Sequence, residues 1–210
     1  MVKFILLFAI LAVFNRQTSC QPKIHVHVLY ESLCPDSISF VTQQLYPIWK
    51  EIAPYVNIEF VPFGKSASLN GGSEFICQHG PRECLGNKIQ SCALNQILDQ
   101  TTQVEYVNCF MSRFKKNSRD ENELGQSCAA SNGVDPESVT NCRNSIEGIR
   151  LQLIAEDLTA KITPSFVPTI LFNGQFNQQA QDDSQVNFRG VVCSYIQQLY
   201  PQACQYLRLT

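Results

Sequence analysis

Residues 23–37 read Lys-Ile-His-Val-His-Val-Leu-Tyr-Glu-Ser-Leu-Cys-Pro-Asp-Ser. Up to Tyr30 the stretch alternates apolar with polar positions and is rich in β-branched residues, which predicts a strand over 23–30. Glu31 to Ser37 break that alternation. Pro35 suits the first turn of a helix, where its missing N–H would have had no partner in any case. Ile38, Val41, Leu45 and Ile48-Trp49 follow at helical spacing, Pro54 stops the helix, and Val56 to Phe63 predicts a second strand. Strand, helix and strand in this order predict a parallel pair joined by a crossover. Cys34 then falls at or near a helix N-cap. Unpaired N–H groups and the positive end of the helix dipole favour an anion there, so a cysteine in that place tends toward thiolate, the form that attacks disulfides. Position alone does not separate this reading from a Cys34 that is half of a structural bridge.

Working outward, residues 64–160 read as a different segment. Gly64 to Gly72 is expected to be loop, and residues 77–92 cysteine-rich and irregular. Leu94, Ile97, Leu98, Val104, Val107, Met111 and Phe114 form a helical stripe with a break in it. Residues 115–134 are polar and expected to be loop. Asp135-Pro136 is a helix start, an N-cap followed by proline at N1, with Ile146, Ile149, Leu153, Leu158 and Ile162 at helical spacing beyond it. β signals return at Phe166-Val167-Pro168-Thr169-Ile170-Leu171-Phe172. Asn173-Gly174 marks a hairpin, Gln175-Phe176 its return strand, and Ser184 to Tyr200 a closing helix. Val-Pro-Thr before an Asn-Gly turn fits a cis-proline loop lying against Cys34. Cis bonds are only about 5–6% of X–Pro bonds, so the motif alone is weak. The expected organisation is a leader at 1–20 and one α/β domain at 21–210. That domain comprises a 21–63 βαβ part, a 64–160 helical insertion and a 161–210 hairpin with helix.

Of the 210 residues, 44% are hydrophobic and 16% charged, which suits a folded core and not a disordered chain. Lys3 followed by the apolar run Phe4 to Phe14 and then Thr18-Ser19-Cys20 reads as a signal peptide cleaved near Gln21. The apolar run is too short to span a bilayer, which takes about 20 residues. Cleavage would leave 14 basic and 18 acidic residues, since Lys3 and Arg16 leave the 16, giving a charge of −4. The basic residues are scattered, with no run longer than Lys115-Lys116, so nucleic acid is excluded as a partner and no membrane span is expected. Of ten cysteines, nine follow Cys20: Cys34, Cys77, Cys84, Cys92, Cys109, Cys128, Cys142, Cys193 and Cys204. A secreted chain makes disulfides the default, and an odd count leaves at least one thiol unpaired or paired to another molecule. Eight cysteines allow 105 connectivities, among which Cys193 with Cys204 is the one pairing singled out. Spacing favours structural disulfides over a zinc reading of Cys77, His79, Cys84 and Cys92, because zinc sites usually pair ligands two to four residues apart; His79 as a ligand or base is the minor alternative. His25 and His27, on one face of the first strand, read as sheet residues.

The string from Cys77 to Cys92 resembles the signature of the gamma-interferon-inducible lysosomal thiol reductases: Cys-Gln-His-Gly, two residues, Glu-Cys, two residues, Asn, four residues, Cys. Cys77, Gln78, His79, Gly80, Glu83, Cys84, Asn87 and Cys92 fill every fixed position. Tyr30 to Asp36, Gln44 to Pro47 with Trp49, and Val167-Pro168-Thr169 with Asn173-Gly174 are also similar to this family. The resemblance implies a thioredoxin-like fold with a disulfide-rich helical insertion. It implies reduction of protein disulfides in the acidic endosomal or lysosomal lumen, through a Cys-x-x-Cys pair beginning at the position of Cys34.

The sequence departs from that pattern at Ser37. The motif here is Cys-Pro-Asp-Ser, and no cysteine follows Cys34 for 40 residues. A hydroxyl cannot form the internal disulfide, so an adduct on Cys34 would persist until an outside thiol such as glutathione arrived. Asp36 beside the thiol opposes the thiolate. No Asn-x-Ser/Thr triplet is present, which removes the mannose-phosphate route and makes secretion the simpler expectation, with the endosomal or lysosomal lumen as the alternative. Cys34, Ser37 and Pro168 are the candidate catalytic residues, and no cofactor is expected beyond an external thiol. The first expectation is a binding protein with little or no reductase turnover, engaging a protein partner or a disulfide-bonded protein. The second is a monothiol reductase resolved from outside. The third is an intermolecular disulfide through Cys34.

Overall fold

The computed structural model describes residues 22–114 and 121–209. The expected leader with Cys20 and the Lys115-Lys116 pair lie outside the described residues. Strand β1 (Ile24–Tyr30) pairs in parallel with β2 (Val56–Pro62), from Ile24 opposite Val56 to Tyr30 opposite Pro62. The crossover between them starts as α1 (Pro35–Ser39), passes through a π-helical turn (Phe40–Leu45) and a 3₁₀ turn (Tyr46–Ile48), and ends as α2 (Trp49–Ile52). The slip into π geometry has a covalent reason. Pro47 has no N–H for the helical ladder, and the Tyr46 N–H instead reaches Val41 O, one residue further back than in an α-helix.

The insertion holds more regular structure than its composition suggests. Gly64 to Gly72 is not all loop: β3 (Ala67–Leu69) and β4 (Glu74–Ile76) form a small antiparallel pair. Residues 77–92 are largely helical, as part of α3 (Pro81–Leu94), which begins on a proline at N1 behind Gly80. Cysteine density had suggested irregular chain, but the bridge Cys77–Cys84 ties the loop to the first turn of this helix. The helical stripe breaks at 95–99, where Asp99 caps α4 (Gln100–Arg113) by accepting from Thr102 N. Residues 121–131, expected to be loop, form α5 (Glu121–Ser131), because a narrow face with Cys128 and Ala129 is buried and bridged through Cys109–Cys128. Asp135 caps α6 (Pro136–Asn144) and Ser145 caps α7 (Ile146–Ala160).

The last part adds β5 (Thr169–Phe172) antiparallel to β1, and β6 (Gln175–Phe176) antiparallel to β5. The main sheet thus has the order β2-β1-β5-β6. Asn173 and Gly174 turn the hairpin with φ of 51° and 74°. Helix α8 starts at Gln178 rather than Ser184, capped by Asn177, and runs to Ile196. A further helix, α9 (Pro201–Leu209), is bridged to it by Cys193–Cys204. Ile24, Val26, Val28 and Tyr30 pack one sheet face into a core with Phe40, Trp49, Phe110 and Phe188, while Leu29, Val61 and Leu171 pack the other face on Ala155 of α7. Two buried hydrogen-bond sets lock the insertion to the sheet. Tyr30 OH donates to Gln90 Oε1 (2.8 Å), and Gln152 Nε2 donates to Pro62 O and Ser91 Oγ. A parallel β1–β2 pair with an antiparallel hairpin beside it, plus helices inserted between them in sequence, is the thioredoxin-like arrangement. No helix among the described residues is long and apolar enough to cross a membrane.

Candidate active site

Cys34 is the N-cap of α1 and carries no bridge, whereas the other eight described cysteines pair as Cys77–Cys84, Cys92–Cys142, Cys109–Cys128 and Cys193–Cys204. It lies at the end of β1 because the chain leaves the sheet at Tyr30 and turns back through the Cys34 N–H to Glu31 O contact (3.3 Å) before Pro35 opens the helix. Its side chain is 6% exposed, and Sγ lies 3.5 Å from Val167 O. Val167–Pro168 is a cis peptide. Pro168 therefore stands beside the thiol, as the Val-Pro-Thr motif suggested. Ser37 is fully buried in the first turn of α1, and its Oγ accepts from Glu31 N (3.4 Å). The hydroxyl is thus engaged by the loop's own backbone.

Both segments that meet at Cys34 are clamped by distant side chains. The signature residues hold the loop before the cysteine. Asn87 Oδ1 accepts from Ser32 N (2.9 Å), Glu83 Oε2 accepts from Leu33 N (3.2 Å), and Ser32 Oγ donates to Glu83 O (3.1 Å). The Gln78 amide lies 3.2 Å from both oxygens of Glu31, with its nitrogen turned toward them in the orientation that satisfies both groups. Gly86 lets α3 come this close: a Cβ there would stand 2.6 Å from Ser32 Oγ and 2.6 Å from a Phe114 ring carbon. Gln181 holds the proline side. Its Oε1 accepts from Ile170 N (2.8 Å) and its Nε2 donates to Pro168 O (3.0 Å).

Glu31, His79 and Glu83 meet under the loop. His79 Nδ1 lies 2.6 Å from Glu83 Oε2 and 3.4 Å from Glu31 Oε2. Both carboxyls are fully buried, and the carboxyl of Glu31 is pushed up to about 7. Desolvation is the main cause and the neighbouring Glu83 charge the second, opposed by the Lys65 N–H bond and by His79. The three residues bring one ligand atom each within 4.8 Å of one another, a spacing that a cation could use. Both carboxylates are already tied to the backbone, since Glu31 Oε1 accepts from Lys65 N, Glu83 Oε1 from His79 N and Glu83 Oε2 from Leu33 N. The cluster therefore serves the loop.

The sequence reading named Cys34, Ser37, Pro168 and the signature, and the structure brings all of these to one end of β1 except Cys92. That residue pairs with Cys142 deeper in the insertion. Cys109, Cys128, Cys193 and Cys204 lie in bridges elsewhere in the fold. The reading missed Glu31, Gly86 and Gln181. An isolated Gly within a helix is a pointer to close packing, but a Gln on an amphipathic helix carries no such signal.

The family model "Gamma interferon inducible lysosomal thiol reductase (GILT)" matches residues 25–132, which span Cys34 and the whole signature. GILT-like protein 1 of Drosophila melanogaster is 42% identical over 197 residues, covering 87% of this chain and 78% of its own length. The gamma-interferon-inducible lysosomal thiol reductase-like protein of Anopheles gambiae is 36% identical over 203 residues, with 90% and 82% covered. Among solved structures, the reduced form of the disulfide bond oxidoreductase DsbG of Mycobacterium tuberculosis superposes with a TM-score of 0.60. It covers 90% of this chain and 85% of its own at 13% identity, a likeness of fold. The chain belongs to the GILT thiol reductase family and carries that family's thioredoxin-like fold.

Proposed function

We propose that this chain engages disulfide-bonded proteins at the face formed by Cys34 and cis-Pro168, and works as a binding protein with little or no reductase turnover. The observation that carries the proposal is the composition of the site: one unbridged thiol, with the buried Ser37 hydroxyl where a second thiol would resolve the adduct. In the chemistry open to it, Cys34 thiolate attacks one sulfur of a partner disulfide. A Cys34–partner disulfide forms, and the other partner sulfur leaves with the electron pair and takes up a proton. Nothing inside the described chain can repeat that attack on the adduct, because every other described cysteine is bridged. Four bridges support residence in an oxidising compartment, which we assign to the extracellular space, with the endosomal or lysosomal lumen as the alternative.

A second reading is favoured by the 3.5 Å contact of Cys34 Sγ with Val167 O, which sets the thiol beside the cis-proline shelf. In it Cys34 works as a monothiol reductase, with glutathione or free cysteine attacking the adduct. One experiment separates the two. The native protein is mixed with a disulfide-bonded protein and followed by non-reducing mass spectrometry, with and without glutathione. Binding without turnover gives at most one adduct per chain, absent in Cys34→Ala, and no continuing release of reduced protein when glutathione is added. Continuing release selects the monothiol reading. A Cys34 that resists alkylation in the native protein overturns both covalent routes.

A further inference from the structure

We infer that the face beside Cys34 selects a cationic, extended polypeptide segment carrying an apolar side chain. The inference deepens the proposed capture of disulfide-bonded proteins and rests on it. A cleft of about 450 Å³ starts at the Val167–Pro168 peptide that Cys34 Sγ touches, and its rim carries Asp36 and Asp182. Both are exposed, one in the first turn of α1 and the other near the start of α8. Asp182 Oδ1 accepts from the neutral Gln178 Nε2 (2.8 Å), and neither aspartate forms a salt bridge among the described residues. A second hollow of about 260 Å³ shares Phe166 and Gln178 with the cleft; Ile162, Pro164, Phe166 and the half-exposed Phe176 give it an apolar side, and Thr163, Ser165 and Thr169 a polar one. No Lys, Arg or His lines either hollow.

The physical argument is one of complementarity. Two carboxylates with no cation among the lining residues make a negative lip. A segment bearing Lys or Arg near its cysteine approaches that lip faster, and an acidic one is repelled. The apolar side of the adjoining hollow receives an aliphatic or aromatic residue on the same segment, which fixes its direction along the cleft.

The test uses the native protein and three synthetic peptides. Each carries one cysteine activated as a mixed disulfide with thionitrobenzoate. Two contain leucine beside that cysteine and are flanked by lysines or by glutamates, and the third is the lysine peptide with serine for leucine. Cys34 attacks the peptide sulfur, the Cys34–peptide disulfide forms, and thionitrobenzoate leaves with the electron pair, giving colour that reports the rate. At low salt the lysine peptide is expected to react on the order of tenfold faster than the glutamate peptide. Molar salt should shrink that ratio toward one, and Asp182→Lys, a surface change, should bring it near or below one. The serine peptide should react several-fold more slowly than its leucine counterpart. Equal rates for the lysine and glutamate peptides at low salt, a ratio that ignores both salt and Asp182→Lys, or equal rates for the serine and leucine peptides would overturn the inference and leave capture intact. No adduct with any peptide would remove capture as well, and the inference with it.

Discussion

At residue scale, the chemistry divides between a thiol that can attack and a hydroxyl that cannot resolve. Ser37 is fully buried, and its Oγ accepts from Glu31 N. Glu31 gives the site a pH dependence whose sign can be worked out. Its folded carboxyl titrates at about 7, above the ordinary value of 4.5. Between those values the folded chain binds more protons than the unfolded one, so stability falls as pH rises through that window. The contribution is fully present below about 4.5 and lost above about 7. Glu31→Gln keeps a carbonyl oxygen for Lys65 N and removes the titration. Denaturant midpoints measured across this range should decline with pH less steeply in the variant than in the parent. Equal slopes would show that another group sets the dependence.

At the scale of elements, α3 is the part that makes the loop before Cys34 rigid. Gly86→Ala would force the helix away from Ser32 and Phe114, and should cost about 1–3 kcal/mol, the usual range for overpacking. Urea unfolding measures it; a loss under 0.5 kcal/mol would mean that the contact relaxes freely. The bridges should rank by the loops they close. Cys92–Cys142 spans 50 residues and Cys77–Cys84 spans 7. Loop entropy alone makes removal of the first pair, with alanine at both positions, about 1.7 kcal/mol more costly than removal of the second. Equal losses would point to contacts rather than loop closure. The β1–α1–β2 unit was legible because alternation and helical spacing meet at Pro35, and the hairpin because an apolar run ends at Asn173-Gly174, a pair that suits its tight turn. Helices α3 and α5 were not. In both, few apolar residues face the core, and bridged cysteines do the work that leucines usually do. The Glu83 and Asn87 clamps were named as signature positions, but their targets lie 50 and 55 residues away along the chain, a distance no local pattern encodes.

On the scale of the whole molecule, the four bridges tie helices to helices and to the loop before α3. Three of them stiffen the insertion that presses on the Cys34 loop, Cys193–Cys204 ties α8 to α9, and the sheet itself is left to its apolar core. The fold is thioredoxin-like, but function resides in the site and not in the scaffold. The proposed function therefore turns on the serine at position 37. The most direct measurement is the rate at which the native chain and Ser37→Cys reduce a disulfide-bonded protein near pH 5 with a small-thiol donor. The account predicts sustained turnover in the variant and at least tenfold less in the native chain; comparable rates in the two would contradict it.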